Sequence, residues 1–344
     1  MNSGKPVTLS VCIATLNRAA FIGETLESIV SQATDEVEIV IVDGGSSDNT
    51  TEVVARFLDR GVPVRYHRLE RKGGVDRDYD LAVSLAEGRY CWLFPDDDLL
   101  EPGAIARVLE AVGSGFTLVI VNSSVWTKEY SRIIEKSRLP FPEDRTYPAE
   151  DLVRLFVDTA AYLSYIGGVV IRKDAWLERE RERYYGTEFI HFGVIFQARL
   201  PGPALAIGEP LIRIRFANSL WSSRTFRIWL VNWAELVWSL PDIPEEAKRL
   251  VSRKDPWKHP LILIDYRARG AYSLSEYRRW TAPRASVAAR GPAFLVAVMP
   301  CGLANLLSMA YLRLVGNRSP LLLEDMRSSR YNIRNWLRSR PRTE

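Results

Sequence analysis

Residues 90–98 read Tyr90-Cys91-Trp92-Leu93-Phe94-Pro95-Asp96-Asp97-Asp98: a short apolar run, a proline, then consecutive carboxylates. An apolar run without alternation predicts a strand buried on both faces, as in a parallel sheet. Pro95 predicts a turn at its end. Carboxylates crowded at a strand end repel one another and need compensation. A hard divalent cation supplies it, because Mg²⁺ takes one or two carboxylates, several waters and the oxygens of a phosphorylated substrate. The plain alternative is a solvated acidic turn that ends the strand.

Outward from this stretch the chain alternates strand and helix. Strands are expected at Leu9–Ala14, Val37–Val42, Val64–Leu69, Tyr90–Phe94 and Thr117–Asn122. Between them lie helical patterns: Ile22, Leu26, Ile29, Val30 and Ala33 on one face, a start near Asn49-Thr50-Thr51-Glu52, Tyr79–Ala86 and Pro102–Val112. Such alternation implies a mostly parallel sheet with helices on both faces, which binds ligands at the carboxyl ends of its strands. Those ends carry the polar residues: Thr15, Asn17 and Arg18 after the first strand, Asp43 to Asp48 after the second, Lys72 to Asp80 after the third, the triplet after the fourth. Singly, Asp43-Gly44-Gly45 or Gly73-Gly74 reads as an ordinary turn; together they point to a site.

Length and composition fit this reading. The chain of 344 residues is 47% hydrophobic, enough for one large core or two modest ones. Its net charge of +4 is too mild to argue nucleic-acid binding. Cys12, Cys91 and Cys301 lack metal-ligand spacing and read as buried hydrophobes in a reducing compartment. The polar start Met1 to Pro6 predicts no signal peptide, so a cytoplasmic chain is expected. From Arg313 onward arginines dominate (Arg313, Arg318, Arg327, Arg330, Arg334, Arg338, Arg340 and Arg342), which suits an anionic membrane surface.

Gly291 to Leu312 carries no charged side chain and is bounded by Arg290 and Arg313, about the length of a bilayer-crossing helix. Pro300 and Gly302 interrupt it, and Asn305 and Ser308 dilute it. Monotopic insertion, a buried core helix and a true span all stay open. Before it, Phe226, Trp229, Leu230, Trp233, Leu236, Val237 and Leu240 keep a helical period.

Three blocks carry a family resemblance: Leu9 to Arg18, Glu38 to Thr50, and Ala86-Glu87-Gly88 through Asp98. In order and spacing over roughly residues 7–220 the chain resembles the family 2 glycosyltransferases of the GT-A fold. Gly73 to Asp80 and Cys91 to Phe94 look like the abequosyltransferase-like branch, which builds bacterial surface polysaccharides. The resemblance implies an α/β fold, Rossmann-like, with a mostly parallel mixed sheet between helices. It implies a catalytic domain over 1–222; beyond it, the helical period, the charge-free segment and the basic tail predict a helical, membrane-associating region over 223–344, with the membrane segment near 287–315.

It also implies roles. Thr15, Asn17 and Arg18 line the nucleotide pocket, Asp43 accepts from the base, and Lys72, Gly73, Gly74 and Asp76 approach nucleotide or phosphate. Asp96 and Asp97 reach ribose or sugar, and Asp98 holds Mg²⁺ or Mn²⁺ on the diphosphate. Two departures stand out. Pro95 replaces the first acid of the family pattern, and Tyr79-Asp80 replaces its Arg-Asn, a change read as tuning for an unusual sugar.

Sugar transfer also needs a base for the acceptor hydroxyl. Glu188 matches the family position. His191, three residues on, shares its face if the segment is helical, and could assist or replace it. The alternatives are a first-turn carboxylate and a core histidine. Arg213 or Arg215 could reach the diphosphate or form a surface ion pair, and Asn218 with Trp221 could face the acceptor.

The expected activity is metal-dependent transfer from a nucleotide-sugar donor to a lipid-linked or lipopolysaccharide glycan, with inversion, at the inner face of the cell membrane. The rivals are a polyprenyl-phosphate acceptor and a non-catalytic nucleotide-sugar-binding partner.

Overall fold

A computed structural model describes residues 6–58, 60, 62–216, 224–314, 320–332 and 335. Asn218, Trp221, the expected boundary at 222–223 and several tail arginines (Arg318, Arg334, Arg338, Arg340, Arg342) lie outside the described residues. Contacts divide the chain into two compact units: 1–218 with 240–247, and 219–239 with 248–344.

The first unit is built on one sheet. Its strands are β1 (Leu9–Thr15), β2 (Val37–Asp43), β3 (Val64–Arg68), β4 (Tyr90–Phe94), β5 (Leu99–Leu100), β6 (Leu118–Trp126), β7 (Ile133–Glu135), β8 (Arg145–Tyr147), β9 (Val169–Arg172) and β10 (Ala204–Arg215). The order is β3-β2-β1-β4-β9-β6-β10-β5, with β7 on β6 and β8 on β10. The first four strands run parallel, whereas β9 lies antiparallel between β4 and β6. The sheet is therefore mixed, as expected. The helices are α1 (Ile22–Val30), α2 (Thr50–Ala55), α3 (Val75–Leu85), α4 (Ala104–Gly113), α5 (Leu152–Thr159), α6 (Lys173–Leu177) and α7 (Ile190–Phe196).

The apolar runs become the core for the reason expected: every residue of β2 and β4 is buried. At the amino-terminal edge of the sheet, Glu38 is 1% exposed. It accepts from the Ser10 hydroxyl at 2.6 Å and the Gly88 N–H at 3.3 Å. A Cβ on Gly88 would lie 2.5 Å from Ser10 Oγ, which demands glycine there. Ala86-Glu87-Gly88 thus knits the scaffold at the end opposite the site.

Two expectations about α-helices change. Asn49 makes no side-chain cap of α2; Asp48 does the job, accepting from the Thr50 N–H at 3.1 Å. Helix α3 begins at Val75, four residues before the expected Tyr79, after Gly74 with φ 100°. That early start puts Asp76, Asp78 and Asp80 on the helix, all buried.

The second unit is helical. Phe226, Leu230, Val231, Leu263, Tyr272, Ala293, Val296 and Ala297 form one core, with Phe226 stacked on Tyr272 at 4.9 Å. The charge-free segment forms two helices, Val287–Val298 and Cys301–Leu314, bent by 108°. The break falls at Pro300, which cannot continue the ladder. Among the described residues no single helix is long and apolar enough to cross a membrane.

Candidate active site

The site is assembled around α3 and the loops that follow β1, β2 and β4. After β1, Asn17 takes φ 56°, a conformation asparagine tolerates. Its Oδ1 accepts from the Ser47 N–H at 2.7 Å, which ties the first loop to the second. Asp43 ends β2 fully buried. Its Oδ1 accepts from the Ser46 N–H at 2.7 Å and hydroxyl at 2.8 Å, and its Oδ2 from the Tyr66 hydroxyl.

The acidic triplet divides into three environments. Arg18 bridges the first two carboxylates, with Nε 3.2 Å from Asp96 and Nη2 3.2 Å from Asp97. Burial, with the neighbouring Asp97 charge, pushes the Asp96 carboxyl up to about 7 against the pull of Arg18 and Thr15. Asp97 is the least buried of the three. Asp98 is 3% exposed and turned inward, with Oδ2 accepting from the Tyr165 hydroxyl at 2.6 Å and Oδ1 from the Arg215 N–H at 2.8 Å. Burial and the Asp97 charge raise its pKa well above the usual range. This geometry runs against the expectation that Asp98 faces a metal.

Arg215 also differs from expectation. Its guanidinium donates to the Asp97 carbonyl at 3.0 Å, the Lys128 carbonyl at 2.7 Å and the Glu24 carboxylate, and it sits 4.3 Å over the Tyr130 ring. With every nitrogen engaged it is a strut beneath the acidic loop, not a diphosphate ligand. Arg213 pairs with Glu101.

Across α3 the three aspartates diverge. Asp76 accepts three backbone N–H groups: Gly186 at 2.8 Å, Glu188 at 2.9 Å and Ile190 at 3.0 Å. It therefore anchors the segment that bears Glu188, rather than facing a nucleotide as expected. Burial pushes its carboxyl up to about 6 despite those bonds. Asp80 accepts from Trp176 Nε1 at 2.8 Å and the Tyr185 hydroxyl, and pairs with Arg181 at 2.9 Å. Tyr79 donates to the Phe94 carbonyl at 3.1 Å, just ahead of Pro95. The Tyr79-Asp80 departure thus has a structural job.

Glu188 lies ahead of α7 at φ 71°, a conformation costing about 1–3 kcal/mol for a residue other than glycine. It lines a recess of about 230 Å³ with Gly73, Gly74, Asp76, Arg77, Tyr185 and Gly186. The shared helical face expected for Glu188 and His191 does not form, because only His191 is in the helix. His191 is 1% exposed, and its Nε2 lies 2.9 Å from the Leu163 carbonyl. Burial depresses its pKa to about 4. It is a core imidazole, out of reach of an acceptor. Lys72 is exposed beside this recess's glycines.

Among the described residues, no group of three or more His, Cys, Asp or Glu side chains is arranged to hold an ion. Mg²⁺ or Mn²⁺ needs fewer when substrate phosphate completes the shell.

A parallel sheet interrupted by one antiparallel strand, with acids after β4 and a carboxylate recess behind α3, defines a GT-A-type glycosyltransferase fold. Two solved structures share it. A mannosyltransferase from Pyrobaculum calidifontis in complex with GDP-Man and Mn²⁺ superposes with a TM-score of 0.54 at 17% identity, over 98% of this chain and 89% of that one. S. aureus TarS 1-349 in complex with UDP-GlcNAc gives 0.53 at 14% identity, over 96% and 92%. Residues 10–175 match the model of glycosyl transferase family 2: the chain carries a domain of that family and is a glycosyltransferase. The abequosyltransferase RfbV of Salmonella typhimurium is 27% identical over 227 residues, covering 61% of this chain and 67% of the relative.

Proposed function

We propose that the protein transfers a sugar, with inversion, from a nucleotide donor to a hydroxyl of a lipid-linked or lipopolysaccharide glycan. The observation that carries this reading is the recess in which Glu188 shares a wall with Gly73 and Gly74, its backbone held by Asp76. Glu188 takes the proton of the acceptor hydroxyl, the freed oxygen attacks the anomeric carbon, and the nucleoside diphosphate leaves from the opposite face. Asp97 and Asp96 would hold a divalent metal, which when bound would supply compensation for the charge that grows on the leaving diphosphate. The name of the Salmonella relative, an abequosyltransferase, supports the sugar-transfer part of the reading, and that of the Mn²⁺-bound neighbour the metal part. Arg215 and Tyr165 keep the acidic loop in place through Asp98.

The acceptor's membrane location is supported by the second unit. In Cys301–Leu314 the polar Asn305 and Ser308 are buried against protein, while Leu303, Leu306 and Leu307 are 47%, 57% and 45% exposed. Asn305 donates to the Met326 carbonyl at 3.1 Å and Ser308 to Asp265. A helix that hides its polar groups and shows leucine to its surroundings suits lying in a lipid interface. In place of a single boundary at 222–223, we therefore take 1–218 with 240–247 as the catalytic part and 219–239 with 248–344 as the membrane-associating part, on the inner face of the cell membrane.

The test is Glu188→Gln. Transfer falls by roughly 10²–10⁴-fold, the range for losing a general base, while donor binding persists. Retained turnover removes Glu188 from the mechanism. Product anomers read by NMR check inversion.

A further inference from the structure

We propose that Asp78 reads the base of the donor nucleotide and selects a base with an exocyclic amine. This rests on the nucleotide-sugar reading above and goes beyond it to the class of nucleotide.

Asp78 lies in the first turn of α3 and is 5% exposed. Its Oδ1 is buried and has no hydrogen-bond partner. The carboxyl sits between two bare stretches of backbone: a Cβ on Gly73 would lie 2.6 Å from Oδ1, and one on Gly44 would lie 3.3 Å from Oδ2. Both glycines belong to loops of the candidate nucleotide site, one after β2 and one before α3. Leu16 and the Thr15 carbonyl border the same space beside Gly44. The chain therefore keeps side chains away from an unsatisfied acceptor, a costly arrangement unless something else meets it.

Asp43, the expected base acceptor, is already occupied by Ser46 and Tyr66. Asp78 Oδ1, by contrast, keeps its acceptor capacity. Burial raises its pKa to about 6; Lys72 opposes the shift, and Asp43 and Asp76 add to it.

An ionised carboxylate only accepts. Cytosine, guanine and adenine each present an amine to it. Uracil and thymine present a single N–H flanked by two carbonyl oxygens, which would meet the negative field of Asp78 and Asp43. An acceptor-only carboxylate thus favours the amine-bearing bases.

The experiment measures binding of CDP, GDP, ADP, UDP and dTDP to the full chain by calorimetry, for the wild type, Asp78→Asn and Asp78→Ala. At least one amine-bearing nucleotide binds the wild type about tenfold or more tighter than UDP and dTDP, as expected for one discriminating hydrogen bond. In Asp78→Asn, whose amide both donates and accepts, that ratio collapses to within about threefold. Because the ratio is taken within one protein, a partly unfolded variant does not distort it. A wild type that prefers UDP or dTDP overturns the inference, as does a ratio unchanged in both variants. If nucleotides bind but the ratio does not move, this inference alone fails. If none binds the wild type, the nucleotide-sugar reading falls with it.

Discussion

Asp76→Asn separates the anchoring of the Glu188 segment from the stability of the whole fold. The carboxylate holds three backbone N–H groups, two on Oδ2 and one on Oδ1. Asparagine keeps one acceptor oxygen and turns an NH₂ toward the rest, so at least one N–H loses its partner. A hydrogen bond to a charged group contributes about 1.5–3 kcal/mol, so opening of residues 186–190 becomes roughly 10–150-fold easier. The global effect is far smaller. The folded pKa of about 6 against 3.8 means the buried charge costs the fold, by about 3 kcal/mol at neutral pH. The neutral amide removes that cost and offsets the lost bond. The expected result is a nearly unchanged Tm with hydrogen exchange at Gly186, Glu188 and Ile190 accelerated by one to two orders of magnitude. Unchanged exchange at those three amides refutes the reasoning.

The acidic loop gives a paired prediction: Asp97→Asn raises the Mn²⁺ concentration for half-maximal activity by about tenfold or more, whereas Asp98→Asn, at a carboxyl turned toward Tyr165 and the Arg215 N–H, leaves it within about threefold. The reverse pattern returns the metal to Asp98. For Asp78 the folded pKa of about 6 lies above the ordinary 3.8, so between these values the folded state binds more protons than the unfolded state. Stability therefore falls as pH rises through that window, and Asp78→Asn gains more Tm over wild type at pH 8 than at pH 4. An equal gain at both sinks the assignment. On the second unit, Leu306→Glu with Leu307→Glu should abolish flotation with anionic vesicles while leaving far-UV circular dichroism intact; persistent flotation refutes the lipid-facing reading.

The scaffold was legible because β1, β2 and β4 are mostly apolar runs without alternation, which burial on both faces favours. The short strands β5, β7 and β8 carry two or three residues each and no readable pattern. The position of α3 was misjudged for a physical reason. Its first turn is rich in aspartate and looks solvated, but Asp76 and Asp80 are satisfied by groups about a hundred residues away in sequence. Residue type placed Arg215 and His191 in the site; only burial and partners remove them. The signal for Asp76 was present as an acid in the first turn of a helix, but the N–H groups it serves belong to α7 and the segment before it.

Helix α3 has a consequence for exchanging parts between related enzymes. Within 11 residues it touches the Glu188 segment through Asp76, the β2 loop through Asp78, the end of β4 through Tyr79 and the α6 region through Asp80. A chimera that imports only a donor loop from a relative keeps a helix wired to the old partners. The transplantable module is α3 together with the four segments it grips, and donor preference should travel with that module or not at all.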